Sequence, residues 1–110
     1  MKLLIAGSRG ITDFNLAEHI PPEATVIISG GAKGIDTLAE KYADEQGLEK
    51  IIIKPNYPKY HRGAPLKRDE EMVELADEVL VIWDGASKGS KYTLEYARKK
   101  NKPVTVIEVK

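Results

Sequence analysis

Three short stretches hold the residue types best suited to chemistry: Gly7-Ser8-Arg9-Gly10, Ser29-Gly30-Gly31-Ala32-Lys33-Gly34-Ile35-Asp36, and Gly85-Ala86-Ser87-Lys88-Gly89-Ser90. Each follows a short apolar run and combines glycine with hydroxyl or cationic side chains. Glycine lets a ligand approach the main chain, and unpaired N–H groups at a helix start favour an anion. Together the three turns suit a phosphate-bearing ligand. The phosphate is expected over Gly30, Gly31 and Gly34, with Ser8 and Arg9 opposite and Lys33 within reach. The sugar or base would then extend towards Gly85 and Ser87 to Ser90. The central stretch is neither the GxGxxG fingerprint nor the phosphate loop ending in Gly-Lys-Ser/Thr, because Ile35 stands where those patterns need glycine or a hydroxyl. This argues against ordinary NAD binding and against an ATPase, and no cofactor is required.

These turns need a scaffold of strands and helices, and the hydropathy pattern supplies one. Leu3 to Ala6, Ala24 to Ile28, Ile51 to Ile53, Val79 to Trp83 and Val104 to Val109 are short apolar runs, as in strands covered on both faces. Between them lie four helical patterns. The first carries Phe14, Leu16, Ala17 and Ile20 and is stopped by Pro21-Pro22; the second runs from about 35 to 46 with Gly47 as its C-terminal cap. The third starts near Leu66, and the fourth covers about 91 to 100 with Asn101 as a stop. Residues 56–65, with two prolines and two tyrosines, read as a loop. Strands alternating with helices through short connections predict an α/β, Rossmann-like three-layer sandwich with a five-stranded, mostly parallel sheet and four helices. The order 3-2-1-4-5 would bring the three glycine-rich turns together at the switch point where such sheets bind ligands.

The 110 residues are enough for one domain spanning 1–110. Acidic and basic residues balance at 17 each, so no whole-molecule field draws the chain to nucleic acid or membrane. The absence of cysteine removes disulfides, thiol catalysis and thiolate zinc sites. His19 and His61 are too far apart and too unsupported by acids to predict a metal site. No apolar run approaches the roughly 18 residues of a membrane span, and a cytoplasmic protein is expected.

In order along the chain, Gly7-Ser8-Arg9, Ser29 to Asp36, Arg68-Asp69-Glu70-Glu71-Met72, and Ala76-Asp77 before the strand ending Trp83-Asp84-Gly85-Ala86-Ser87-Lys88-Gly89-Ser90 resemble the SLOG superfamily. Within it the chain is most similar to the small YspA/YpsA-related group. The resemblance implies a Rossmann-like fold that binds a nucleotide, a nucleotide-derived signal or nucleic acid. The superfamily includes the Smf/DprA proteins, which bind single-stranded DNA, and the LOG proteins, which cleave the N-glycosidic bond of nucleoside monophosphates.

The resemblance to LOG hydrolases implies a role for Arg68 and for Gly89-Ser90, but their catalytic glutamate would fall at Thr93. The nearest carboxylate, Glu95, is two residues late and turned by roughly 200° on a helix. Since glycosidic cleavage needs a carboxylate, catalytic candidates reduce to Arg68, Glu95 and Asp36, and binding is favoured over hydrolysis. Asp36 also suits the plainer role of a helix-start cap. Arg68, among Lys67, Asp69, Glu70 and Glu71, reads from its neighbours alone as part of a solvated helix start, and the family more often has asparagine where Asp69 stands. Trp83 reads as core, whereas Tyr57 and Tyr60 suit stacking on a base. Lys59, His61, Arg62, Lys67 and Arg68 form a basic cluster that a single-stranded nucleic acid partner would use. A homodimer is a weaker expectation.

Overall fold

A computed structural model describes residues 1–109. The apolar runs form strands β1 (Lys2–Gly7), β2 (Val26–Ser29), β3 (Glu49–Ile52), β4 (Glu78–Trp83) and β5 (Val104–Glu108). They make one sheet in the order β3-β2-β1-β4-β5, as the sequence predicts, and every pairing is parallel. Because successive strand residues face opposite sides, β1 divides its apolar residues between two layers. Leu3 and Ile5 join Ile27, Leu80 and Ile82 on one face, while Leu4 and Ala6 join Ile28, Val79 and Val81 on the other.

Helix α1 (Ile35–Gln46) covers the first face with Ile35, Ala39 and Ala43. A one-turn helix, α2 (Tyr57–Tyr60), precedes α3 (Ala64–Leu75), and α3 and α4 (Lys88–Lys99) cover the second face with Met72, Val73, Leu94 and Ala97, joined by Ala76 just beyond α3. Gly47 caps α1 in the left-handed region at φ 67°, and Asn101 just beyond α4 is left-handed at φ 57°, as their stop roles require. Among the described residues no helix is long and apolar enough to cross a membrane.

The first of the four expected helices does not form. In its place is a four-residue 3-10 turn, Leu16–His19, and Asn15 makes no side-chain cap hydrogen bond. Ile20 is extended at ψ 122°, as a residue before proline must be, so the helical stretch ends at His19 after four residues. A segment that short cannot offset the cost of helix nucleation. Its apolar residues Phe14, Leu16 and Ile20 still pack on the first face without a helix to carry them.

Residues 56–65 also differ from the expected loop. The Asn56 side chain accepts from the Lys59 N–H at 3.2 Å and caps α2, and a 3-10 turn at His61–Gly63 follows. Helix α4 starts at Lys88 rather than 91, which moves Gly89 and Ser90 from a turn into its first helical turn.

Candidate functional site

The chain leaving β1 goes to one face of the sheet and the chain leaving β4 to the other, so a cleft opens between them at the carboxyl edge. It is a cavity of about 530 Å³, within the range of roughly 300–1,000 Å³ usual for small-molecule sites. Of the binding residues expected from sequence, Gly7, Ser8, Arg9, Asp36, Arg68, Ser87, Gly89 and Ser90 line it.

Ser8 ties the edges of the cleft together. Its N–H donates to the Ile82 carbonyl at 3.0 Å, and its carbonyl accepts from the Ile35 N–H at 3.4 Å. Its buried hydroxyl accepts from the Asp84 N–H at 3.0 Å and shares a hydrogen bond with the Ser87 hydroxyl at 2.8 Å. Ser87 in turn donates to the Ser90 hydroxyl at 3.1 Å. Ser87 occupies the N-cap position of α4 yet makes no cap hydrogen bond, because its hydroxyl is committed to the other serines. The start of α4 therefore meets the cavity with first-turn amides uncapped by a side chain, next to Gly89 and beside a line of three hydroxyls.

The glycine-rich turn before α1 is built differently. Gly31 donates its N–H to the Ser29 hydroxyl at 3.3 Å, and Ala32 donates to Asp36 Oδ2 at 3.1 Å. The Gly30 carbonyl accepts from Arg68 Nη1 at 2.8 Å. Of this stretch only Ala32 and Asp36 line the cavity. Ser29 is buried, Gly31 lies against Ile52, Lys33 is exposed, and Gly34 packs on the backbone of Ser8 and Arg9. Gly85, in the turn after β4, lies against Glu108 and outside the cavity lining.

Arg68 is not on a solvated helix start. It is 8% exposed, with Nε on Asp69 Oδ1 at 2.9 Å and Nη1 on Gly30. The missed signal was periodic: Arg68, Asp69 and Pro65 continue the inward stripe of Met72, Val73 and Ala76 back by one and two turns. Pro65, Leu66, Asp69, Met72, Asp84 and Thr93 complete the lining. Glu95 is absent from it. Its side chain is 61% exposed and lies 3.9 Å from Lys91, so the outward turn expected from its spacing is what the helix gives. Burial of Arg68 also breaks up the basic cluster, and Lys67 is paired with Glu70 at 3.6 Å. Tyr57 and Tyr60 stand outside the cavity lining, and Trp83 packs against the core with its Nε1 donating to the Ser87 carbonyl at 3.0 Å.

The three carboxylates at the cavity differ in proton affinity. Burial pushes Asp36 up, opposed by the Ala32 N–H and by Arg68. Burial also pushes Asp69 up to about 6, opposed by Arg68 and reinforced by Asp36. Asp84 is held below its ordinary value because it accepts from the Ala86 and Ser87 N–H groups, both at 2.8 Å.

A carboxyl whose folded value is raised contributes stability that is full below its ordinary value of 3.8 and is lost as pH rises through about 6. Urea unfolding of the chain and of Asp69→Asn is therefore expected to show the native chain losing ground to the variant between about pH 4 and pH 6.5. A gap that stays constant with pH would contradict the buried, raised carboxyl.

A family model described as the YspA, cpYpsA-related SLOG family matches residues 1–60. The chain is also 28% identical over 116 residues to the Gene 61 protein of Mycobacterium phage D29, a match covering 94% of this chain and 93% of that protein. By the family match over more than half of its length, the chain belongs to the YspA, cpYpsA-related SLOG family, which gives it a nucleotide-related binding or processing role.

Proposed function

We propose that the chain binds a nucleotide or nucleotide-derived molecule in the cleft, with its phosphate at the start of α4. The observation that carries this reading is the uncapped first turn of α4, beside the linked Ser8, Ser87 and Ser90 hydroxyls, in a cavity that Arg9 also lines. Amides at a helix start, the Ser90 hydroxyl, whose proton the serine chain leaves free, and a guanidinium form the donor set that an anion needs. Pro65, Leu66 and Met72 give the cavity an apolar wall suited to a base. The phosphate is assigned here, rather than over Gly30 and Gly31, because the Gly31 and Ala32 amides are already bonded, the second of them to the Asp36 carboxylate.

Binding without glycosidic cleavage is the reading favoured. Thr93 stands at the cavity where the hydrolases of the wider superfamily would carry glutamate, and Glu95 points to solvent. Binding of single-stranded nucleic acid loses support, because Arg68 is withdrawn from the surface cluster.

A thermal-shift comparison of nucleoside 5′-monophosphates with the corresponding nucleosides tests the reading. A nucleotide at about 100 times its Kd should add about 2.7 kcal/mol of stability, and the nucleoside much less. Gly89→Asp places a competing carboxylate at the start of α4, in a position with open space around its β-carbon. It should leave the melting temperature of the free protein intact and remove most of the nucleotide shift. Equal shifts with and without the phosphate would refute the phosphate assignment.

A further inference from the structure

One side chain of the cavity is both deeply buried and only half used. Asp69 is 7% exposed, and its Oδ1 is committed to Arg68 Nε at 2.9 Å. Arg68 cannot follow the ligand, because its Nη1 is fixed on the Gly30 carbonyl at 2.8 Å. Asp69 Oδ2 makes no hydrogen bond among the described residues, and it is not sealed away as a buried orphan, so it is the face that Asp69 presents to the cavity. Pro65 and Met72 lie four residues before and three after it on α3 and line the same cavity. That spacing puts an acceptor between two apolar side chains on one helix face.

The other carboxylates are less available. Asp36 spends Oδ2 on the Ala32 N–H, and Asp84 spends Oδ1 on two backbone amides. We propose that Asp69 selects the base of the bound nucleotide, its Oδ2 accepting a hydrogen bond from an exocyclic amino group. The inference rests on the nucleotide reading above and adds the class of base. An analogue with hydrogen in place of the amino group covers that oxygen and leaves it unpaired, which is the kind of mismatch that discriminates strongly.

Asparagine at this position reverses the polarity of the wall. Arg68 Nε can only donate, so the amide oxygen must stay on Arg68 and the NH₂ group must face the cavity. A donor then stands where this chain has an acceptor. Protonation does the same more gradually. Burial, helped by Asp36 of α1 and opposed by Arg68 and by Arg9 after β1, lifts the Asp69 carboxyl to about 6. Tyr92 of α4, the remaining titratable neighbour, has its hydroxyl on Glu70.

Calorimetric titration with AMP, CMP and GMP, each beside its analogue carrying hydrogen for the amino group, tests the proposal. At about pH 7.5 the unaltered chain should prefer the amino member of at least one pair by about tenfold or more. The preference should vanish or reverse in Asp69→Asn and shrink in the unaltered chain at about pH 5. Equal affinities within every pair, or a preference that survives in Asp69→Asn, would overturn the role of Asp69 and leave nucleotide binding standing. If none of the six nucleotides binds, the nucleotide reading itself falls and takes this inference with it.

Discussion

Replacing Gly34 by alanine is expected to cost the protein a large part of its stability. Gly34 has φ 72° and ψ −125°, a backbone geometry that a β-carbon opposes. A β-carbon there would also lie 2.5 Å from the carbonyl oxygens of both Ser8 and Arg9, which are backbone atoms that cannot rotate away. The dihedral strain is worth about 1–3 kcal/mol and the overpacking about as much again. Against a total of roughly 5–15 kcal/mol, this should lower the melting temperature by more than about 10 °C. Gly89→Ala is the control, because nothing lies within 4 Å of its β-carbon position and it sits inside a helix. Calorimetric scans of the two variants should separate them clearly, and comparable melting temperatures would mean that the turn before α1 is not packed on the turn after β1.

Arg68→Met is the second large effect. It removes the partner of a buried carboxylate and the donor to the Gly30 carbonyl together. Breaking one side of a buried pair costs about 3–5 kcal/mol, since the remaining charge stays in poor solvent. Asp69 would then hold its proton still more tightly, so the loss should be smaller at about pH 5 than at pH 7.5. The double variant Arg68→Met with Asp69→Leu should recover much of the loss, because no unpaired charge remains. Urea unfolding measures all three, and a pH-independent loss with no recovery would show that packing, not charge, is what Arg68 supplies.

The strands were the most legible part of the chain, because a parallel sheet covered on both faces leaves runs such as Leu3 to Ala6 and Val79 to Trp83 in the sequence itself. The order followed from where the glycine-rich turns had to meet. The first helical pattern is misleading, since Phe14, Leu16, Ala17 and Ile20 satisfy a helical spacing that the following prolines leave no room to build. Ser8, Ser87 and Ser90 were legible as candidate site residues, but not as a linked set of hydroxyls, because that depends on a contact across 79 positions. Arg68 and Asp69 were harder. Their neighbours in sequence are charged and solvated, and only the phase of the helix, set by Met72 and Val73, turns them inward.

The glycine-rich turn shows the limit most clearly. Its composition announces an anion site, yet the structure uses Gly30 to seat the Arg68 guanidinium and Gly34 to let two backbones approach. Space that a sequence reader assigns to a ligand is here filled by the protein.

The measurement closest to the central claim is a backbone amide NMR titration with a nucleoside 5′-monophosphate. Binding with the phosphate at the start of α4 predicts the largest phosphate-dependent shifts at Lys88, Gly89 and Ser90, with smaller ones at Gly31 and Ala32, whose amides are already bonded. Shifts concentrated at Gly30 to Gly34 with Lys88 to Ser90 unmoved, or no phosphate-dependent shift at all, would contradict it.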